Sequence, residues 1–203
     1  MGGWTEHKGQ AVLLPLDNVD TDQLIPARFM STPRSAGYGN YLLHDLRHDE
    51  DGTPKPDFPL NANPVASILV AGPNFGSGSS REAAVYALVD AGIRAVIAPS
   101  FGDIFASNAV NNGLLPARVS PEAVEKLREA LADQPSQASV DLETRCITIN
   151  DITVDFELQD NWRTKLVNGW DDIDLTLQHA DVIRAFRDER HLNANWAWPA
   201  APN

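Results

Sequence analysis

The residues best suited to chemistry are NFGSGSSR at 74–81, between the apolar run ASILVAG at 66–72 and the segment EAAVYALVDAG at 82–92. This order predicts a strand, a bare loop and a helix start. Glycines in such a loop allow a ligand to approach the backbone closely, and the free N–H groups of a first helical turn attract an anion. Ser79, Ser80 and Arg81 add two hydroxyls and a guanidinium. The pattern predicts a carboxylate or phosphate site with a candidate catalytic hydroxyl.

The spacing favours a carboxylate over a nucleotide. The Walker motif requires a lysine followed by Ser or Thr, and the dinucleotide motif requires a third glycine where Arg81 stands. A guanidinium matches one carboxylate geometrically. A structural alternative stays open, because Ser79 and Glu82 have the Ser-x-x-Glu spacing of a capping box. Ser79 is therefore a candidate for chemistry, for helix capping, or for both.

The elements around this loop alternate between strand and helix. The pattern predicts strands at 10–16, 66–71, 93–98 and 115–119, and helices at 80–91, 101–110 and 121–133, which indicates parallel strands with helical crossovers. A β meander over 139–158 and short helices follow, of which 181–189 is the clearest. We predict an α/β fold and a single domain over 1–203. Its proline- and glycine-rich segment 31–64 is expected to be a mobile loop, and a loose tail is expected from about 190.

Composition excludes several function classes. The chain has 203 residues, 43% of them hydrophobic, and a formal net charge of −12, which opposes binding to nucleic acid or anionic lipid. No apolar stretch reaches membrane-spanning length, and the N-terminus lacks a signal-peptide core, so we expect a cytoplasmic protein without nucleic-acid or membrane partners.

Metal binding by this chain is not predicted. A single cysteine, Cys146, cannot hold a zinc ion or an iron–sulfur cluster by itself. His44 and His48 have a spacing that would suit one helix face, but the surrounding acidic residues favour a solvated polar segment. We expect no metal and no cofactor on the chain itself.

Four blocks, in this order along the chain, resemble the small subunits of bacterial 3-isopropylmalate dehydratases, the isomerases of leucine biosynthesis. They are LDNVDTDQLIPARF, NFGSGSSRE, AVIAPSFGDIFASNAVNNGLLP and DLTLQHAD. The resemblance implies a swivelling β/β/α domain like the last domain of aconitase. It also implies a large-subunit partner that carries a [4Fe-4S] cluster on three cysteines, and a small dicarboxylate substrate.

The resemblance also implies roles for individual residues. Ser79 matches the serine that acts as base, and Arg81 matches the arginine that binds a substrate carboxylate. A second group is expected to bind substrate: Asn74, Gly78, Ser80, Thr21 and Asp22. In related proteins a mobile loop covers the substrate's variable side chain, and here it corresponds to 31–40. The expected specificity residues of that loop are Arg34, Gly37, Tyr38 and Gly39.

The chain departs from the family pattern at one point. Ala83 stands where a histidine usually follows Ser-Arg-Glu, and Val85 and Tyr86 replace a common Pro-Trp pair. The absent imidazole removes a hydrogen-bonding group near the helix start. Two alternatives therefore remain open: a related hydro-lyase subunit for citraconate, methylmalate or a similar dicarboxylate, and a non-catalytic carboxylate-binding module.

Overall fold

The computed structural model describes residues 2–132 and 134–198, and within them seven strands form one sheet. The strands are β1 (Glu6–Leu14), β2 (Ala66–Ala71), β3 (Ala95–Ala98), β4 (Leu115–Arg118), β5 (Ser136–Asp141), β6 (Cys146–Ile149) and β7 (Ile152–Asp155). The helices are α1 (Thr21–Leu24), α2 (His44–Arg47), α3 (Pro59–Ala62), α4 (Glu82–Asp90), α5 (Asp103–Asn111), α6 (Pro121–Leu131), α7 (Asp160–Asn168), α8 (Asp172–Leu177) and α9 (Ala180–Asn193). The predicted α/β fold class is confirmed.

The sheet joins a parallel half to an antiparallel half in the order β4-β3-β2-β1-β5-β6-β7. The first four strands run parallel, with α4 and α5 as crossovers, and β1 pairs antiparallel with β5 at the start of the meander. Both predicted patterns are confirmed. The sheet also curls, because the Glu157 N–H donates to the Arg118 carbonyl at 2.7 Å and brings its two ends together.

Both faces of the parallel half are buried. Successive side chains of a strand point to opposite faces. Leu69 accordingly belongs to a core with Phe75 and Leu88, whereas Ile68 belongs to a second core with Ile97. Because both faces are covered, side chains of the parallel half that contact a ligand must lie in the loops at the ends of its strands.

Local polar contacts shape the segments that sequence patterns describe least well. The predicted turn after β1 contains α1, because the Asp20 carboxylate accepts from the Gln23 N–H and the Gln23 side chain accepts from the Asp20 N–H. Segment 31–64 contains α2, α3 and two short 3-10 turns. Helix α9 extends four residues beyond the predicted end at 189, into the segment expected to be a loose tail.

Two kinds of feature are absent from residues 2–132 and 134–198. None of their helices combines the length and apolar composition needed to cross a membrane. Within the same ranges, no group of three or more His, Cys, Asp or Glu side chains is arranged to hold a metal ion.

Candidate active-site loop

The serine-glycine loop (residues 72–81) follows the carboxyl end of β2 and leads into α4. On one side it is bound to the segment that follows β1. The Asn18 N–H donates to the Pro73 carbonyl at 2.9 Å, and the Gly76 N–H donates to the Val19 carbonyl at 2.7 Å. Thr21 then donates its N–H to the Ser77 carbonyl at 2.9 Å. These bonds fix the path of the loop along its first six residues.

On its other side the loop is bound to the segment that follows β3. Phe75 donates its N–H to the Ser100 carbonyl at 3.0 Å and accepts from the Gly102 N–H at 2.9 Å. The Asn74 N–H donates to Ser100 Oγ at 2.8 Å, and the Asn74 side chain donates to Asn18 Oδ1 at 3.1 Å. Three consecutive strand ends therefore hold one loop, as expected for ligand sites at the carboxyl edge of parallel strands.

Position 76 requires glycine for two reasons, its backbone conformation and the lack of room for a side chain. Its φ is +72°, and a Cβ built at this position would lie 2.1 Å from Phe105 Cγ. Phe105 stacks with Phe101 beside the fully buried Phe75. A side chain at position 76 would therefore push the loop off this aromatic cluster.

The structure removes the capping alternative for Ser79. Helix α4 begins at Glu82 with Arg81 as its N-cap, and no side chain caps it. Ser79 instead contributes its carbonyl, which accepts from the Arg81 N–H at 2.8 Å and from Thr21 Oγ1 at 3.0 Å. The capping-box hypothesis is therefore wrong, because Ser79 lies two residues too early in the chain.

The two hydroxyls of the loop are available to a ligand. Gly78, Ser79 and Ser80 are exposed, and neither serine Oγ has a hydrogen-bond partner within residues 2–132 and 134–198. The α4 N-terminus that follows adds a favourable potential for an anion. The loop thus combines a fixed backbone with free hydroxyls, which suits it to act on a substrate bound above it.

Arg81 lies against a carboxylate of its own chain. Its side chain is 22% exposed, and Nη1 donates to Oδ1 of Asp22. A carboxylate repels the carboxylates of a substrate, so this pairing suits Asp22 to orient the guanidinium rather than to bind the anion itself. Thr21 is only 2% exposed, so its side chain supports the loop from beneath.

The predicted specificity segment packs along α4. The Arg34 guanidinium lies 3.8 Å from the centre of the Tyr86 ring and donates to Asp90 Oδ1 at 2.9 Å. Burial and the neighbouring Glu82 raise the pKa of Tyr86. The buried Tyr38 donates its hydroxyl to the Thr32 carbonyl at 2.9 Å. In this structure the segment is therefore attached to the helix that follows the serine-glycine loop.

The two glycines of this segment have different requirements. Gly37 has a φ of +87°, which favours glycine by conformation. Gly39 would place a Cβ 2.6 Å from the Ala91 nitrogen, so it is required for close contact with the end of α4. The structure thus gives a packing role to Gly39, which the resemblance implies as a specificity residue.

Sequence reasoning did not single out Asn18, Ser100 or Phe105, which position the loop. Their signal was their place in the chain, because Asn18 and Ser100 follow the strands on either side of β2. A cavity of about 690 Å³ lies at the same sheet edge, lined in part by Phe101, Arg118 and Trp162. The lining of this cavity comes from the segment after β3, from β4, from the meander and from α7, and includes no residue of the serine-glycine loop.

The side chains considered as candidate metal ligands, those of Cys146, His44 and His48, contact other groups of the chain. The Cys146 thiol in β6 donates to Asp155 Oδ1 at 3.2 Å, and this contact together with burial raises its pKa. The His44 and His48 rings stack at 4.3 Å between centroids, and His48 Nδ1 lies 2.9 Å from the His44 carbonyl. One cysteine in the whole sequence cannot supply the thiolates of an iron–sulfur cluster.

Comparison with known proteins gives a consistent result. The family model of the aconitase C-terminal domain matches residues 1–122, and the model of the C-terminal domain of the 3-isopropylmalate dehydratase small subunit matches 172–197. A 3-isopropylmalate dehydratase small subunit of Shouchella clausii is 47% identical over 89% of this chain and 92% of its own. One from Rhodospirillum centenum is 46% identical over 97% and 99%. The crystal structure of a Methanocaldococcus jannaschii 3-isopropylmalate dehydratase superimposes with a TM-score of 0.64 at 28% identity, covering 90% of this chain and 99% of that one.

Proposed function

The chain belongs to the family of 3-isopropylmalate dehydratase small subunits, and from this membership we propose how its serine-glycine loop takes part in the reaction. The function is that of the small subunit of a hydro-lyase in leucine biosynthesis. The enzyme isomerises 2-isopropylmalate and 3-isopropylmalate through isopropylmaleate. As a small subunit, the chain requires a large-subunit partner.

Ser79 is the proposed base. Dehydration removes a proton from one carbon and a hydroxyl from its neighbour, and hydration reverses both steps with the opposite regiochemistry. The observation that carries the proposal is the exposed Ser79 hydroxyl, unpartnered among the described residues, on a loop held by three strand ends. The nearby helix N-terminus and guanidinium favour the alkoxide that accepts the proton.

Arg81 is the proposed carboxylate ligand. Asp22 bonds to Nη1, and neither Nε nor Nη2 donates to any residue of the described ranges, so these donors remain for a substrate carboxylate. Asn74, Gly78 and Ser80 are proposed to complete the polar wall around the substrate. Asp22 and Thr21 then act by positioning the guanidinium and the loop.

The remaining chemistry belongs to the partner. We propose that a [4Fe-4S] cluster is held by the large subunit and supplies a Lewis acid for the departing hydroxyl when it is bound. An exposed loop without a cover suits a site that is completed between two chains. A cytoplasmic location remains a prediction. The absence of nucleic-acid or membrane partners also remains a prediction, and the net charge of −12 supports it.

The 31–40 segment is proposed to recognise the isopropyl group. It packs along α4, directly downstream of Arg81, through Arg34 and Tyr38. Tyr86 lies beneath Arg34 at one of the positions where the chain departs from the family pattern. Comparing turnover of 3-isopropylmalate with that of citraconate measures whether this arrangement selects the longer side chain.

The decisive experiment pairs two serine variants. The chain is co-expressed with its large subunit, the complex is kept anaerobic, and alkene absorbance is followed with 3-isopropylmalate. Ser79→Ala is expected to lower kcat by about 100- to 10,000-fold, the range for loss of a general base, with unchanged thermal stability. Ser120 is the matched control, because its Oγ caps α6 by accepting from the Ala123 N–H at 3.2 Å.

The Ser120 variant is expected to change stability and not turnover, the opposite of the Ser79 variant. Ser120→Ala should reduce the free energy of unfolding by about 1 kcal/mol and leave turnover unchanged. Wild-type turnover of 3-isopropylmalate by Ser79→Ala would eliminate the base assignment. An inactive wild-type complex with a loaded cluster would instead contradict the isomerase function.

A further inference from the structure

Exposed apolar side chains are concentrated at the C-terminal end of the described chain. Outside this region, the exposed large hydrophobic residues of the described ranges are Met30, Val65 and Ile104. Eight others lie within 173–198: Ile173, Leu177, Val182, Ile183, Phe186, Leu192, Trp196 and Trp198. This density is far from the scatter expected of an ordinary surface, so it indicates a contact surface.

The C-terminal arm (helices α8 and α9) places many of these side chains at helical spacing. Ile173 and Leu177 are four residues apart on α8, and Phe186 follows Val182 by four and Ile183 by three on α9. Such spacing puts side chains on one face of a helix. Neither helix buries a residue, although isolated helices of this length are marginally stable in water.

The arm is rooted close to the serine-glycine loop. Lys165, only 3% exposed, bonds through Nζ to Asp172 at the start of α8 and to Asn111 Oδ1 at 2.9 Å. The next residue, Asn112, donates from Nδ2 to Glu82 Oε1 at 2.9 Å, and Glu82 directly follows Arg81. Two adjacent residues at the end of α5 therefore join the root of the arm to the start of the active-site helix.

We infer that the apolar face of the C-terminal arm is the surface on which the large subunit docks, an inference that rests on the proposed function. The root of the arm is linked through Asn111 and Asn112 to the start of α4, directly after the loop that the partner is proposed to cover. It also coincides with the small-subunit-specific match at 172–197, whereas the aconitase-type match covers 1–122.

The side chains of the arm indicate which groups the large subunit should present to it. These are an apolar groove that receives Phe186 and Ile183, and a carboxylate placed to meet Arg190. Arg190 lies one helical turn after Phe186, and its side chain has no polar partner in the described ranges. Neighbouring Arg184 and Arg187 are already paired with Asp181 and Asp188.

Titration of purified small subunit into large subunit, with turnover as the readout, tests this inference. Phe186→Asp is expected to raise the apparent Kd about tenfold or more, because it places a charge in an apolar contact. At saturation kcat should return to the wild-type value, since the serine-glycine loop is unchanged. Val65→Asp is the matched control: Val65 is 75% exposed, lies outside the arm, and should leave Kd unchanged.

The outcomes separate the inference from the proposed function. An unchanged Kd for Phe186→Asp, with an active wild-type complex, would overturn the docking surface and leave the isomerase function intact. A wild-type complex that assembles without turnover would contradict the function, and a pull-down on tagged large subunit would then decide the docking surface. If the isolated chain is a dimer that Phe186→Asp makes monomeric at unchanged Kd, the surface binds a second copy and the inference fails.

Discussion

The serine-glycine loop and the C-terminal arm differ in the groups that they expose and in how firmly the rest of the chain holds them. The loop carries exposed polar groups on a backbone held from both sides, with Phe75 fully buried as its anchor. The arm carries exposed apolar groups on helices that bury no side chain and that bond to the body through Asp172. The backbone support of the loop is thus complete within the chain, whereas the apolar side chains of the arm stay exposed among the described residues.

The two regions are suited to two different tasks in an active site shared with a partner, namely catalysis and association. A catalytic group must be held within a fraction of an ångström, so its support belongs on the rigid edge of a sheet. An association surface instead contributes free energy by losing its exposed apolar area to a partner. Variants of the loop should therefore alter kcat at any concentration of the partner, whereas variants of the arm should be rescued by saturation.

Gly76→Ala is expected to cause the greatest loss of stability among these variants. The left-handed φ and the overlap with Phe105 both oppose a Cβ, so we expect a loss of about 2–5 kcal/mol in the free energy of unfolding. We also expect a fall of about 100-fold in kcat, because the displaced loop carries Ser79 with it. Urea unfolding of the isolated chain and saturated turnover of the complex measure the two effects.

Gly52→Ala is the control for this variant. Gly52 has a φ of +86°, but no described atom lies within 4 Å of its ideal Cβ. It should lose about 1–2 kcal/mol from backbone strain alone and keep full turnover. Equal losses for the two variants would show that the aromatic cluster does not set the position of the loop.

A smaller effect is expected for Thr21→Val, which keeps the shape of a buried side chain. It removes the 3.0 Å bond to the Ser79 carbonyl, while that carbonyl keeps the Arg81 N–H. The expected cost is about 1 kcal/mol of stability, with a fall in kcat and little change in Kd for the large subunit. Thr148→Val, which removes a 3.1 Å hydroxyl contact to Thr153 in the meander, should leave kcat unchanged. A wild-type kcat for Thr21→Val would show that this bond does not position Ser79.

The sequence was sufficient to predict the parallel half, the meander and the place of the serine-glycine loop. Alternating strands and helices indicate parallel strands joined by helical crossovers. In such a sheet the loop between β2 and α4 has to lie at the carboxyl ends of the strands. The capping-box prediction from the Ser-x-x-Glu spacing was wrong, because a capping box depends on where the helix starts. Helix α4 starts at Glu82, and the Ser79 carbonyl before it is bound by Thr21, which lies outside the segment.

Long-range pairing explains what else could not be predicted. Asp22 and Arg81 are 59 residues apart, so no local pattern shows that the carboxylate orients the guanidinium. Arg34 likewise meets Asp90 across 56 residues. Spacing finds groups that act together within one element, whereas pairs between elements depend on the tertiary arrangement.

The smallest effect concerns the root of the C-terminal arm and depends on pH. Lys165, followed by Asn111, holds the pKa of Asp172 below its ordinary value of 3.8. A carboxyl whose folded pKa is lowered stabilises the protein above its unfolded pKa, and that contribution is lost as pH falls towards the folded pKa. The Asp172 side chain is 65% exposed, so we expect a contribution of less than about 1 kcal/mol.

Asp172→Asn, which cannot ionise, should therefore be slightly less stable than the wild type near neutral pH, and the difference should shrink below about pH 4. Urea unfolding across this range measures it, and the same substitution in a Lys165→Met background is the control, since the cation that the carboxylate meets is then absent. A difference that persists in that background, or that does not change with pH, would show that the ion pair is not what attaches the arm. Persistence in that background would assign the difference to the bond that Asn111 Nδ2 donates to the Asp172 carboxylate at 3.0 Å.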